Sequence, residues 1–428
     1  MSASLSVNVQ LYMQGEDLSY GALVVGNIHP ADPSGVAHRN VVFPCGQDVR
    51  PAHYTVSPGH YVVSATLPSG IVLSEDAEAC EGTETHVLLR PEDTPHETHA
   101  WQYLMGNIEP GEVYLNPAAI PVPRSLGSRT ADWEADVPVK PARTVWVGDL
   151  HPQGYHFTAL LDLIDDTDPS TVVSAIALSK PIPLHPIGGS DRLSQLYRFS
   201  EEGPLDVRDK LLFGNMPTGL RQFLVVSLAG NDYLVTLPVP WELSLAEVLV
   251  NTRQSPTGSP ISVAVRDGQM GSALGYMARG ALDSAATLVK EAEVVLFGKL
   301  MNPVAAAAGA YILVGTELTS HPMRWDPWLD NLRHWFPWMS DGSIAWAMRR
   351  LRTAESEDDL REARDGLIEA FDRGIPFYTL GLGRLIEGLS EFDHDPECAW
   401  RLYQARRLSW RVDMREPFLI ISLRRRSP

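Results

Sequence analysis

The sequence predicts a multidomain α+β protein, with antiparallel β-sandwich modules first and an irregular helical array of tetratricopeptide-like character last. Its 428 residues exceed the length of an ordinary single domain. Apolar residues alternate with a period of two in the first half, and from about residue 271 they recur every three or four positions. These changes place a β-sandwich module at 1–91, a proline-rich linker at 92–140, a second β domain at 141–268, and a helical array with an arginine-rich tail at 269–428.

The clearest strand pair of the first module lies at 58–73. Tyr61, Val63 and Ala65 share one face, and Pro68 with Gly70 supplies the chemistry of a tight turn. The pattern PGxYxVxxxLPSG resembles small β-sandwich modules of the transthyretin and carboxypeptidase-regulatory type. That resemblance implies a module that binds or braces other domains and does not catalyse a reaction.

The second β domain is predicted mainly from a hairpin at 223–237. Two apolar runs flank Gly230-Asn231, a pair that suits a two-residue loop with positive φ. Residues 224–226 are continuously apolar, so this hairpin is expected to be buried on both faces, between layers or domains.

Helix signals dominate the last part of the chain. Asn302-Pro303, Ser356 with Asp359, and Asp395-Pro396 are N-terminal caps. Glycines at 280 and 374 join successive helices in the manner of stacked helical hairpins, but the full tetratricopeptide consensus is missing. Residues 417–423 are more typical of a strand than of a helix.

Three blocks in this part carry a second resemblance. They are KLMNPVAAAAGAYILV at 299–314, NLRHWFPWMSDG at 331–342 and RGIPFYTLGLGRLIEGL at 373–389. In this order they resemble a module of bacterial proteins without a settled activity, whose genes often lie near caspase-like peptidases or other signalling and defence components. The resemblance covers about 271–392 and implies protein partners, a caspase-like peptidase among them. It implies no reaction.

Charge and cysteine content limit the classes of partner. The net charge of −18 disfavours nucleic acid as a partner of the protein body. Residues 401–428 hold eight arginines against Asp413 and Glu416, a local charge of +6, which leaves −24 on the rest. We expect this tail to dock on an acidic surface of the protein or of a partner.

The sequence also predicts a cytoplasmic protein outside the membrane. Its three cysteines lack CxxC spacing, and it shows no leader pattern and no long apolar run.

The reactive motifs of common enzyme and metal sites are absent or incomplete, which predicts no catalytic residue, no cofactor and no metal. GxSxG and Walker A sequences are absent, and Gly381-Leu382-Gly383 belongs to an incomplete GxGxxG within a helical pattern. His96 and His99 lack the HExxH spacing, and the aspartates at 162–168 lack the other ligands of a calcium loop. Cys398 falls on the inward face of a helix, where core packing is the ordinary role of a free cysteine.

Tryptophan is concentrated at 325–346, where arginines are interleaved with it. One interpretation is a hydrophobic plug between helical hairpins. The other is an exposed binding anchor, because tryptophan and arginine dominate interaction hot spots. The candidate protein-interaction residues are Trp325, Trp328, Trp335, Trp338, Arg424, Arg425 and Arg426.

These observations favour a non-catalytic scaffold or adaptor that binds protein partners in a bacterial multi-protein system. Two alternatives stay open. One is a hydrolase whose active site is assembled from scattered residues, and the other is a sensor whose β modules bind a ligand.

Overall fold

Most strands precede most helices along the chain, as the sequence predicts, and the α+β class is confirmed. The computed structural model describes residues 2–9, 22–45, 50–90, 144–165, 178–184, 194–199, 221–228, 231–239, 241, 246–251, 260–265, 267, 270–289, 292–316 and 324–423.

The first module is a single curled sheet of seven strands. They are β1 (Ala3–Val9), β2 (Ala22–Pro30), β3 (His38–Cys45), β4 (Ala52–Val56), β5 (Gly59–Thr66), β6 (Val72–Ala79) and β7 (Glu84–Leu89). The order is β4-β1-β3-β2-β5-β6, with β7 also paired to β1. The sequence predicts antiparallel strands, and most pairs are antiparallel, but β1 runs parallel to both β3 and β7. Contacts between β6 and β7 bring the far edge of the sheet back towards β1, so one sheet encloses the core.

The predicted hairpin at 58–73 is confirmed as β5 and β6. Tyr61, Val63 and Ala65 are buried, whereas Val62 on the other face is exposed. Gly70 adopts a positive φ of 90°, and the Leu67 amide donates a hydrogen bond to the Ile71 carbonyl across the turn.

The second β region forms two sheets and one helix. Its elements are β8 (Thr144–Leu150), α1 (Phe157–Asp165), β9 (Ser179–Pro183), β10 (Ser194–Phe199), β11 (Arg221–Leu228), β12 (Asn231–Thr236), β13 (Ala246–Asn251) and β14 (Ile261–Val265). One sheet has the order β10-β13-β14. The other has the order β15-β12-β11-β8-β9, in which β15 (Ile420–Ser422) comes from the end of the chain. The predicted hairpin is β11 and β12, and Leu224, Val225 and Val226 are fully buried. The predicted loop pair Gly230-Asn231 is wrong by one position, because Asn231 begins β12 and pairs with Leu228.

The helical part follows directly. Its helices are α2 (Met270–Ala278), α3 (Leu282–Leu288), α4 (Ala292–Phe297), α5 (Pro303–Thr316), α6 (Asp326–Trp335), α7 (Ser340–Thr353), α8 (Glu357–Asp372), α9 (Thr379–Ser390) and α10 (Pro396–Ser409). The predicted caps are present: Asn302 accepts from the Ala305 amide, Ser356 and Asp359 form a reciprocal capping box, and Asp395 caps α10.

The second β region and the helices share one apolar core. The ring of Phe157 in α1 stacks on Phe371 in α8 with centroids 4.4 Å apart. The first module packs on α2, where the Tyr276 hydroxyl donates to the Thr66 carbonyl and accepts from the Val25 amide. Among the described residues, no helix has both the length and the hydrophobicity needed to cross a bilayer.

Candidate functional site

The three sequence blocks of the helical part meet at one buried carboxylate, that of Asp341. Asp341 lies in the first turn of α7 and is fully buried. Its Oδ1 accepts a hydrogen bond of 3.0 Å from the Tyr311 hydroxyl on α5. The backbone amides of Phe377 and Tyr378 donate to the two carboxylate oxygens at 2.7 and 3.4 Å. Each block therefore supplies part of one hydrogen-bonded cluster.

Arg221 connects this cluster to the β region. It lies at the start of β11, is buried, and donates hydrogen bonds to the carbonyls of Ile375 and Pro376. Its guanidinium stacks 3.8 Å from the centroid of the Phe377 ring. Burial lowers the pKa of Arg221 to about 10. Burial also raises the pKa of Asp341, against the opposing effects of the two amide donors and the Arg221 charge.

The Asp341 cluster is closed to solvent, which limits what it can do. Asp341 and Tyr378 are fully buried and Tyr311 is 3% exposed. The Tyr378 hydroxyl donates to the Val304 carbonyl at 2.7 Å, so it too is engaged within the protein. A buried carboxylate that accepts three donors fixes the relative positions of α5, α7 and the segment before α9. The arrangement supports a structural role for these residues.

Gly381 lies against this cluster, which gives the Gly381-Leu382-Gly383 sequence a packing role. A Cβ atom at 381 would lie 2.5 Å from the Tyr311 hydroxyl oxygen and 2.9 Å from Asp341 Oδ1. A Cβ atom at Gly383, two residues along the same helix, would meet nothing within 4 Å. Close approach of α9 to this cluster therefore requires glycine at 381 and not at 383.

We expect Gly381→Ala to lower the free energy of unfolding by about 1–3 kcal/mol, because the added methyl group overpacks the cluster. Gly383→Ala is the matched control and should raise it by about 0.5–1 kcal/mol, since alanine is the better helix former. Urea denaturation of the two variants measures both values. Equal effects of the two substitutions would contradict the packing role of Gly381.

The tryptophan-rich segment divides between the core and the surface. Trp325, Trp338 and Trp346 are buried, as the packing interpretation predicts for them. Trp328 is half-buried and Trp335 is 39% exposed. Only the last two are accessible to a partner.

Phe297, Trp328 and Trp335 form a partly exposed set of rings, which we call the aromatic surface. Phe297 ends α4 with 62% of its surface exposed, and its ring centroid lies 4.9 Å from that of Trp328 on α6. Exposed aliphatic side chains flank it, at Val294, Leu300 and Met301. Phe297 was not predicted from the sequence, although Val294 and Phe297 are three residues apart and so share one helix face away from the buried Leu296.

Lys299 lies beneath the aromatic surface and was also missed. It is only 3% exposed, and its ammonium lies 5.3 Å from the Trp335 ring centroid and 5.8 Å from that of Phe297. Burial lowers the pKa of Lys299. None of the residues that the structure describes forms a hydrogen bond or an ion pair with this ammonium.

A second group of exposed rings lies near the end of the helical part. Trp400 and Tyr403 on α10 and Trp410 just after it are exposed, Trp410 by 87%. Arg401 and Arg407 on the same helix pair with Asp372 and Asp165. The predicted interaction residues Arg424, Arg425 and Arg426 lie outside the described residues.

Two of the remaining sequence candidates, Cys398 and Asp162, lie within the described residues. Cys398 is fully buried, as core packing predicts, and Asp162 is exposed on α1. His96 and His99 lie outside the described residues. In the part of the chain that the structure describes, no three His, Cys, Asp or Glu residues are grouped so that they could hold a metal ion.

The helical part of the chain matches a known protein family. Residues 272–418, about a third of the chain, match the family model described as the Y4kD C-terminal domain. No curated protein and no solved structure matches the chain. The matched range contains Asp341, Tyr311, Gly381 and the aromatic surface, and it ends just before β15. The helical part of this protein is therefore similar to the Y4kD C-terminal domain.

Proposed function

We propose that this protein is a non-catalytic scaffold or adaptor that binds a protein partner through the aromatic surface. The first partner to test is a caspase-like peptidase of a bacterial multi-protein system, because the resemblance of the three sequence blocks implies that association. The second β region and the helices provide the rigid support.

The exposed rings of the aromatic surface carry this proposal. Large aromatic side chains contribute most of the energy of protein interfaces, and clustered exposed apolar groups mark interaction sites. Phe297 and Trp335 come from α4 and α6, whose Leu296, Leu329 and Leu332 are buried. Arg349 pairs with Asp326 at 3.1 Å and holds the start of α6 on α7. The helices that carry the rings are thus held in place by the core, which lowers the entropy cost of binding.

The alternatives gain less support from the described residues. A hydrolase needs titratable groups that converge where a substrate can reach them. The Asp341 carboxylate, which accepts three hydrogen bonds, is sealed inside the protein and is out of reach of a substrate. The sensor alternative gains no specific observation in the described part of the β modules.

Affinity-tagged full-length protein recovered from its source cells tests the proposal. We expect Phe297→Ala and Trp335→Ala each to reduce recovery of a specific protein at least tenfold, the loss that about 1.4 kcal/mol of binding free energy produces. Trp410→Ala is the matched control, because it removes an exposed tryptophan from a separate surface. Equal recovery with wild type and with both surface variants would contradict the proposal.

Stability measurements must accompany this experiment. The sequence predicts a cost of about 3–5 kcal/mol for Trp335→Ala if the ring is fully buried. Because 39% of Trp335 is exposed, we expect a smaller cost that leaves the protein folded. A loss of binding can then be assigned to the surface and not to unfolding.

A further inference from the structure

We infer that the aromatic surface binds a peptide segment of the partner in which a carboxylate stands beside apolar side chains, and that Lys299 receives this carboxylate. The inference rests on the proposed function and specifies the chemistry of the partner at the same site. Three observations support it: the ammonium of Lys299 is unpaired, the backbone that carries Lys299 is held in place, and exposed rings border the ammonium.

The unpaired ammonium is the first observation. Lysine is almost never fully buried without a partner, because removal of its charge from water costs free energy. Lys299 is 3% exposed, and no residue in the described parts of the chain pairs with it. The carboxylate of Glu293, on the helix before Lys299, is bound by Arg324, whose Nε donates to it at 2.6 Å. A ligand carboxylate would supply the partner that the protein itself does not.

The fixed backbone at Lys299 is the second observation. Lys299 is the central residue of a 3-10 turn at Gly298–Leu300. The amides of Met301 and Asn302 both donate to the Gly298 carbonyl, at 2.9 and 3.1 Å, which closes this turn. Asn302 then caps α5 through the Ala305 amide. The backbone that carries Lys299 is therefore held in place before a ligand arrives.

The bordering rings are the third observation. Trp335 and Phe297 stand within about 6 Å of the ammonium, the range of a cation–π interaction. Such contacts stabilise the charge but satisfy none of its three hydrogen-bond donors. Both rings are also exposed. A ligand that covers them with apolar groups is thereby brought to the edge of the ammonium.

The same geometry favours a protein segment over a nucleic acid. A nucleic acid gains its affinity from several phosphate contacts, which need several cations. Lys299 offers one, and the net charge of −18 repels a polyanion. A single carboxylate beside leucine, isoleucine or aromatic side chains matches one ammonium surrounded by rings.

Two short peptides with one difference provide the test. The first has the sequence Ser-Leu-Leu-Glu-Trp-Ser, labelled with fluorescein at its N-terminus and amidated at its C-terminus, and the second replaces its glutamate with glutamine. Fluorescence polarisation measures binding of each to full-length wild type, Lys299→Met and Phe297→Ala. We expect wild type to bind the glutamate peptide at least tenfold more tightly than the glutamine peptide. Lys299→Met should bind the two peptides equally, and Phe297→Ala should weaken both.

The outcomes separate this inference from the proposed function. Equal affinity of wild type for the two peptides, with both weakened by Phe297→Ala, would overturn the role of Lys299. It would still support binding of a partner at the aromatic surface. Absence of binding by either peptide, or binding unaffected by Phe297→Ala, would overturn the surface and the inference together. Tighter binding of a single-stranded oligonucleotide than of the glutamate peptide, lost in Lys299→Met, would overturn the choice of a protein segment.

A measurement without any ligand checks the same claim. Lys299→Met keeps the length of the side chain and removes its unpaired charge, so we expect its melting temperature to rise by about 2 °C or more. Arg406→Met, on the exposed face of α10, is the matched control and should leave the melting temperature unchanged. A lower melting temperature of Lys299→Met would show that Lys299 stabilises the free protein, and would overturn the inference.

Discussion

Deletion of residues 417–428 is expected to unfold the second β region and the helices together. The deleted segment contains β15, which pairs with β12, and five buried apolar side chains at Phe418, Leu419, Ile420, Ile421 and Leu423. Each such side chain contributes about 1.5–3 kcal/mol on burial. Their combined loss is comparable with the whole stability of a typical domain, about 5–15 kcal/mol. Circular dichroism of the truncated protein measures the loss of helix and of cooperative melting.

A shorter deletion separates this effect from that of the arginine tail. Removal of residues 424–428 takes away Arg424, Arg425 and Arg426 and leaves β15 in place. Exposed charges contribute about 0–1 kcal/mol each, so we expect this protein to melt within a few degrees of wild type. Normal melting of the longer deletion would contradict the placement of β15 in the shared core.

Asp341→Ala is the substitution with the largest expected effect. It removes the acceptor of the Tyr311 hydroxyl and of the Phe377 and Tyr378 amides, and it takes the nearby negative charge away from Arg221. Buried donors without acceptors and a buried charge without its counterpart are both costly. We expect the free energy of unfolding to fall by about 3–5 kcal/mol, measured by urea denaturation.

Asp162→Ala is the matched control for this substitution. Asp162 is exposed on α1, so we expect its replacement to change the free energy of unfolding by less than about 0.5 kcal/mol. A similar small change for Asp341→Ala would show that the cluster does not join the helices.

Local features of the structure follow from local sequence. The turn between β5 and β6 depends on Pro68 and Gly70, and the start of α8 depends on Ser356 and Asp359, only three residues apart. In such places neighbouring residues determine the geometry. The spacing of apolar residues and the residue types of turns and caps therefore suffice to predict it. The β15 strand was predictable for the same reason, although its partner β12 was not.

The candidate site depends on residues far apart in the chain. Asp341 takes its donors from positions 30 to 37 residues away, and Arg221 bonds to carbonyls more than 150 residues distant. Trp325 is buried and Trp328, three residues later, is half-buried, because helix packing and not composition decides exposure. No local period distinguishes the two tryptophans. The parallel pairing of β1 with β7 likewise depends on closure of the whole sheet.

The central claim is that a protein partner covers the aromatic surface. Hydrogen exchange of the full-length protein, with and without a partner recovered by the wild type, tests this most directly. We expect slower exchange on binding in α4 with the turn that follows it, at 292–301, and in α6, at 326–335, with no change in the buried strands β11 and β12. Protection confined to α10 or to the first module, with α4 and α6 unchanged, would contradict the claim.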